Sequence, residues 1–105
     1  MAERWNYDQF QEKIAEKEKL ILVDFYSDSC VPCKVMSPVL AELEEAYASD
    51  LVVGKVNIAY EQDLVSKYGV SSVPTLIFLK EQKEVERLTG VQKKDTLEEI
   101  IEKNK

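Results

Sequence analysis

At 105 residues, 45% of them apolar and 32% charged, the chain has the size and composition of one globular domain, 1–105, able to bury a core without staples. A net charge of −6 argues against a nucleic-acid partner or an anionic membrane surface, and no apolar run is long enough to cross a bilayer. The N-terminus is polar and lacks the apolar stretch of a secretory signal, so the expected compartment is the cytoplasm, where structural disulfides are rare.

Asn6 can cap a helix, with Gln9 as its capping-box partner. Phe10 and Ile14 then share one apolar face, which predicts a helix over 7–18. Residues 20–26, Leu-Ile-Leu-Val-Asp-Phe-Tyr, form a nearly unbroken apolar run, the pattern of a strand covered on both faces. Over 33–47, Met36, Leu40, Leu43 and Tyr47 follow a helical stripe that Val35, Val39 and Ala46 widen. Pro38 falls inside it and is expected to kink the helix. Residues 51–58 read as a second strand. A short helix over 61–68 comes next, closed by Gly69 at a position suited to left-handed backbone. Strands over 75–79 and 84–88 are joined by a polar turn at 80–83. Asp95-Thr-Leu-Glu98 resembles a capping box and opens a last helix with Leu97, Ile100 and Ile101 inward. The order α-β-α-β-α-β-β-α asks for a right-handed parallel crossover and a closing antiparallel hairpin. An α/β fold results, with a small mixed sheet and helices on both faces.

The residues that carry chemistry lie between the first predicted strand and the helix after it, in Ser-Asp-Ser-Cys-Val-Pro-Cys-Lys at 27–34. Cys30 falls at the helix mouth, where free N–H groups and the helix dipole favour a thiolate, the nucleophile of disulfide exchange. Cys33, one turn further in, is expected to be more buried and to act second. Pro32 stiffens the turn between them. Lys34 either supports the thiolate or points to solvent. A zinc site wants four ligands, and this chain has no histidine and no third cysteine. A metal shared across a dimer, or two inert buried cysteines, are the bland alternatives to a redox pair. Asp24 interrupts the apolar run of 20–26. Buried, its carboxyl would have a raised pKa and could act as the base for Cys33; at a strand end it would simply face water. Pro74 opens a strand, and sequence alone does not select its cis or trans form.

These pieces together resemble the thioredoxin family. The matching stretches are Ile21-Leu-Val-Asp-Phe-Tyr26, Cys30-Val-Pro-Cys-Lys34, Pro38, Lys55-Val-Asn-Ile58, Lys67-Tyr-Gly-Val70, Val73-Pro-Thr75 and Gly90, in the family's order across nearly the whole chain. The resemblance implies a thioredoxin fold with a central mixed sheet of four to five strands. It implies a protein-disulfide reductase in which Cys30 attacks and Cys33 resolves, with Asp24 a buried aspartate and Lys55 its partner. It implies that Pro74 is cis and faces the site, and that Val31, Pro32, Val73, Pro74 and Gly90 receive the substrate, Val73 through its backbone. The expected partners are disulfide-containing proteins and a thioredoxin reductase or similar enzyme that re-reduces the Cys30–Cys33 disulfide. A monomer with no bound cofactor or metal is expected. Ser29 and Val31 stand where the family usually has tryptophan and glycine, which leaves a glutaredoxin-like or dedicated electron donor as one alternative. A non-redox binding subunit is the other. The short N-terminus leaves little room for the family's first strand, and the turn at 80–83 lacks the usual Asn-Gly or Asp-Gly.

Overall fold

Every residue of the run Leu20–Tyr26 is buried, and this strand is flanked on both sides. In the computed structural model, which describes residues 2–16 and 18–105, the elements in chain order are β1 (Glu3–Arg4), α1 (Tyr7–Ile14), β2 (Leu20–Tyr26), α2 (Val31–Ala46), β3 (Leu51–Asn57), α3 (Gln62–Tyr68), β4 (Thr75–Lys80), β5 (Lys83–Thr89) and α4 (Lys94–Asn104). The sheet order is β1-β3-β2-β4-β5, with β1 and β2 parallel to β3, and with β4 antiparallel to both β2 and β5. The period-two alternation of β2 divides the core. Leu20 and Leu22 join Met36, Leu40, Leu43, Leu97 and Ile101 on the α2/α4 side, while Ile21, Val23 and Phe25 join Phe10, Ile14 and Leu64 on the other. No helix among the described residues is long and apolar enough to cross a membrane.

The sheet has five strands. The first is only two residues long, and the residue after it, Trp5, fixes it in place. Trp5 donates its backbone N–H to Lys55 O at 2.8 Å, and its buried indole lies flat over Gly54. A Cβ at residue 54 would overlap that ring. Gly54→Ala is therefore expected to cost about 1–3 kcal/mol by overpacking. Trp5 is the only tryptophan, so chemical unfolding followed by its fluorescence measures the loss directly.

Several predicted boundaries move, each for a local reason. The Asn6/Gln9 capping box is formed on both sides at 2.9 Å, but α1 ends at Ile14 rather than 18. No apolar side chain larger than that of the exposed Ala15 follows Ile14 before β2 to hold another turn against the sheet, and Glu16 N–H turns back to Lys13 O. Residue 17 of that expected helix lies outside the described residues. α2 begins at Val31, two residues before the start of its apolar stripe, and runs through Pro38. Val35 and Ala46, expected on the buried stripe, face solvent. α4 starts at Lys94 with Lys93 as its cap and no side-chain cap bond, so Asp95 is not the N-cap. It lies in the first turn instead, where its charge meets the positive end of the helix dipole. At the hairpin tip Glu81 and Gln82 both take positive φ, 52° and 67°. That is the conformation the usual Asn-Gly supplies more cheaply, so the turn keeps its shape against the preference of its residues. Gly69 closes α3 with a φ of 61°, as expected.

Candidate active site

The C-terminal ends of β2 and β3 and the start of β4 lie at one edge of the sheet, because Asp24 pairs with Lys55, Phe25 with Thr75, and Thr75 with Thr89. Everything singled out by the sequence gathers at this edge. Beyond β2 the chain turns through residues 27–29. Asn57, itself buried, pins that turn: its side-chain N–H donates to the Asp28 carboxylate at 3.2 Å while its oxygen accepts from Ala59 N–H at 2.9 Å.

Cys30 is the N-cap of α2, and its sulfur accepts the Cys33 backbone N–H at 3.1 Å. Cys30 and Cys33 are joined by a disulfide, with their Cα atoms 5.3 Å apart. The two sulfurs are not equivalent: Cys30 is half-buried, whereas Cys33 is only 3% exposed. A backbone donor and the helix N-terminus both favour negative charge on the Cys30 sulfur once the disulfide opens. Val31 and Pro32 cover the outside of the pair, and Val31 is 68% exposed. Ser29 is exposed and shields neither sulfur.

Asp24 continues the Leu20–Leu22 face of β2 and is fully buried. Neither carboxylate oxygen has a hydrogen-bond partner among the described residues. Burial pushes its pKa from 3.8 up to about 6, and the nearby charge of Lys55 pulls the other way. Lys55 is the cross-strand neighbour of Asp24, yet its ammonium lies 3.4 Å from Ser37 Oγ and 4.5 Å from the centre of the Tyr26 ring. A cavity of about 190 Å³ lies beside the Lys55 ammonium, with Cys33, Tyr26, Ser37, Lys55 and Arg4 in its wall; Asp24 lies buried behind it and does not line it. Lys34 borders the same cavity from an exposed position on α2. The arrangement offers a proton acceptor near neutral pH, a cation beside it and a water-sized passage to the buried sulfur.

Just before β4, whose first residue Thr75 pairs with Phe25 of β2, the Val73–Pro74 peptide is cis. Gly90, with a φ of 83°, donates its N–H to Pro74 O at 2.9 Å, so the two stand side by side at the mouth of β4 and β5. Val73 is half-buried. Two exposed apolar neighbours are unexpected here: Val91 carries no expectation from the sequence, and Val35 is expected on the buried stripe. Val91 is 55% exposed next to Gly90, and Val35 is 51% exposed one turn after Val31. The Gln92 N–H contact to Met36 Sδ at 3.3 Å ties the two segments together. The four-residue spacing of Val31 and Val35 was the available signal, masked by the apolar stripe beside it. Among the described residues no group of three or more histidine, cysteine, aspartate or glutamate side chains could hold a metal ion.

A family model described as Thioredoxin matches residues 2–103. The chain is 48% identical to a thioredoxin of Chlamydia caviae over 82 residues, 78% of this chain and 79% of that one. It is 40% identical to a thioredoxin of Chlamydia muridarum over 107 residues, 99% of each. Among solved structures, a point-mutant thioredoxin from Halobacterium salinarum NRC-1 superposes with a TM-score of 0.90 at 32% identity, covering 97% of this chain and 88% of that one.

Proposed function

Because the chain belongs to the thioredoxin family and is a thiol–disulfide oxidoreductase, we propose that it works chiefly as a reductant of protein disulfides in the cytoplasm. The observation that carries this reading is the asymmetry of the pair: a half-buried Cys30 whose sulfur holds a helix N–H, and a buried Cys33 that shares a cavity wall with Lys55, the cross-strand neighbour of the unpartnered Asp24 carboxyl.

In this reading the Cys30 thiolate attacks one sulfur of a substrate disulfide. The substrate S–S bond breaks, and the departing sulfur leaves as a thiolate that takes a proton. Asp24, ionised at neutral pH, then accepts the Cys33 proton, with the Lys55 ammonium at the cavity that Cys33 borders. The Cys33 thiolate attacks Cys30 Sγ, the mixed disulfide breaks, and the second substrate sulfur leaves carrying a proton. Two electrons have passed to the substrate, and the Cys30–Cys33 disulfide remains for an external reductase to open. Val31, Pro32, Val73, Pro74 and Gly90 form the surface over which the substrate chain lies, with the Val73 backbone free to pair with it as an added strand. The chain acts as a single domain, 1–105, and as a monomer, without a bound cofactor, metal or nucleic acid.

Insulin reduction with dithiothreitol as electron source tests the activity. Precipitation of the insulin B chain well ahead of the uncatalysed reaction is expected, and no acceleration overturns the reading. Equilibration in a dithiothreitol buffer tests its direction. The expected midpoint is roughly −270 mV, the general value for thioredoxins, while one near roughly −120 mV would mark an oxidant.

A further inference from the structure

Strand register places three charged residues in one row across the sheet. Arg4 on β1 is the partner of Lys55 on β3, and Lys55 is the partner of Asp24 on β2. Partners in register project to the same face, so all three point to the α2 side. Two cations as direct neighbours in a sheet repel each other and cost stability. Arg4 forms no ion pair among the described residues, and it shares with Lys55 and Ser37 the walls of two adjoining cavities, about 190 and 270 Å³. β1 is the edge of the sheet, so the side on which Arg4 stands is the route by which the Lys55 side chain would reach water. The ammonium does not take that route. It turns inward, to Ser37 Oγ and the face of Tyr26.

We propose that Arg4 is a positioning residue of the thiol–disulfide site, its charge at the open end of the row holding the Lys55 ammonium on the inner, Asp24 side. Apolar neighbours cannot do this. Leu76, the partner of Asp24 on β4, carries no charge, and α2 presents only Cys33, Ser37 and the outward Lys34 to the cavity. Asp28 at the cavity rim is held by Asn57. Arg4 and Lys55 are therefore the two cations in the row: Lys55 acts on Asp24 directly, and Arg4 acts chiefly by where it holds Lys55. Two strand spacings separate Arg4 from Asp24, roughly 10 Å, near enough for a charge to be felt through a partly shielded path.

This inference rests on the proposed role of Asp24 for its consequence, though not for its first test. The titration of Asp24 is followed by the NMR shift of its side-chain carboxyl carbon in the oxidised full-length protein, for Arg4→Lys, Arg4→Gln and Arg4→Glu. Arg4→Lys is expected to titrate like the parent. Arg4→Gln should raise the midpoint by about half a pH unit and Arg4→Glu by about one, since glutamate also draws Lys55 outward. The pH profile for resolution of a preformed mixed disulfide should move by the same amounts. An unmoved midpoint in both Arg4→Gln and Arg4→Glu overturns the proposal. A moved midpoint with an unmoved pH profile upholds the position of Arg4 and removes Asp24 as the base instead. Arg4 is exposed on a two-residue edge strand, so these variants are expected to fold, which their unfolding curves check.

Discussion

With Cys33 replaced by serine, substrate stays attached to the protein through Cys30 and steady-state disulfide reduction falls to the uncatalysed rate. The reason is positional. Cys30 caps α2, is half-exposed, and keeps its residue-33 N–H donor in the variant because that donor is backbone. The first exchange therefore proceeds at close to its normal rate. What disappears is the only sulfur that can attack the mixed disulfide from within, and serine at that place is not nucleophilic enough to replace it. The complementary variant, Cys30→Ser, leaves a cysteine that is 3% exposed and one turn inside the helix, so it is expected to trap nothing. Intact-mass spectrometry after incubation with a disulfide substrate reads both outcomes. An adduct on Cys33 in the Cys30→Ser protein would exchange the two roles and with them the mechanism.

The chemistry of this site was more legible than its shape. The cysteines, the in-strand Asp24 and the Val73-Pro74 pair can be read from local spacing, and the Leu20–Tyr26 run announces a covered strand because nothing polar but Asp24 interrupts it. The alternation of that run already places Asp24 on the face of Leu20 and Leu22. Whether the face is covered at residue 24 depends on α2 packing over it, a contact between distant elements. β1 lay below any periodic signal, since two residues have no period. Its place is set by Trp5 finding the one glycine of β3. The first turn of α4 misled the reading because Asp95 and Glu98 have the spacing of a capping box, while the backbone at Lys93 makes the turn. The Arg4–Lys55–Asp24 row is invisible to any window of sequence, because it exists only once three strands are in register. Ser29 and Val31 remain the places where this chain departs from its family. Val31 and Val35 make the α2 side next to Cys30 aliphatic, Val91 adds an exposed apolar side chain after Gly90, and the polar Ser29 stands where the family's tryptophan would precede the first cysteine.

Asp24→Asn is expected to make the protein a slower catalyst and a more stable one, and the two effects have one cause. The carboxyl is buried without a hydrogen-bond partner, and its pKa is about 6 in the fold against 3.8 as its ordinary value. Between about pH 4 and 6 the folded protein therefore holds a proton that the unfolded chain has released. Stability falls as pH rises through that window, and above it the ionised carboxylate costs the fold about 3 kcal/mol, at about 1.4 kcal/mol for each pH unit between the two values. Asparagine carries no such charge. At pH 4 the variant and the parent should unfold at similar urea concentrations, and at pH 7.5 the variant should be the more stable by an amount of that order. If their difference is the same at both pH values, Asp24 is not the titrating group. The same substitution removes the proton acceptor for Cys33, so release of substrate from the Cys30 mixed disulfide should slow by about 10²- to 10⁴-fold at neutral pH while the first attack is little changed. Rapid mixing of the reduced protein with a chromogenic disulfide separates the two steps. A carboxylate that the fold could replace at a gain in stability stands where its proton affinity lies close to neutral pH, on the strand that leads into the Cys30–Cys33 turn, as the proposed base for Cys33 requires.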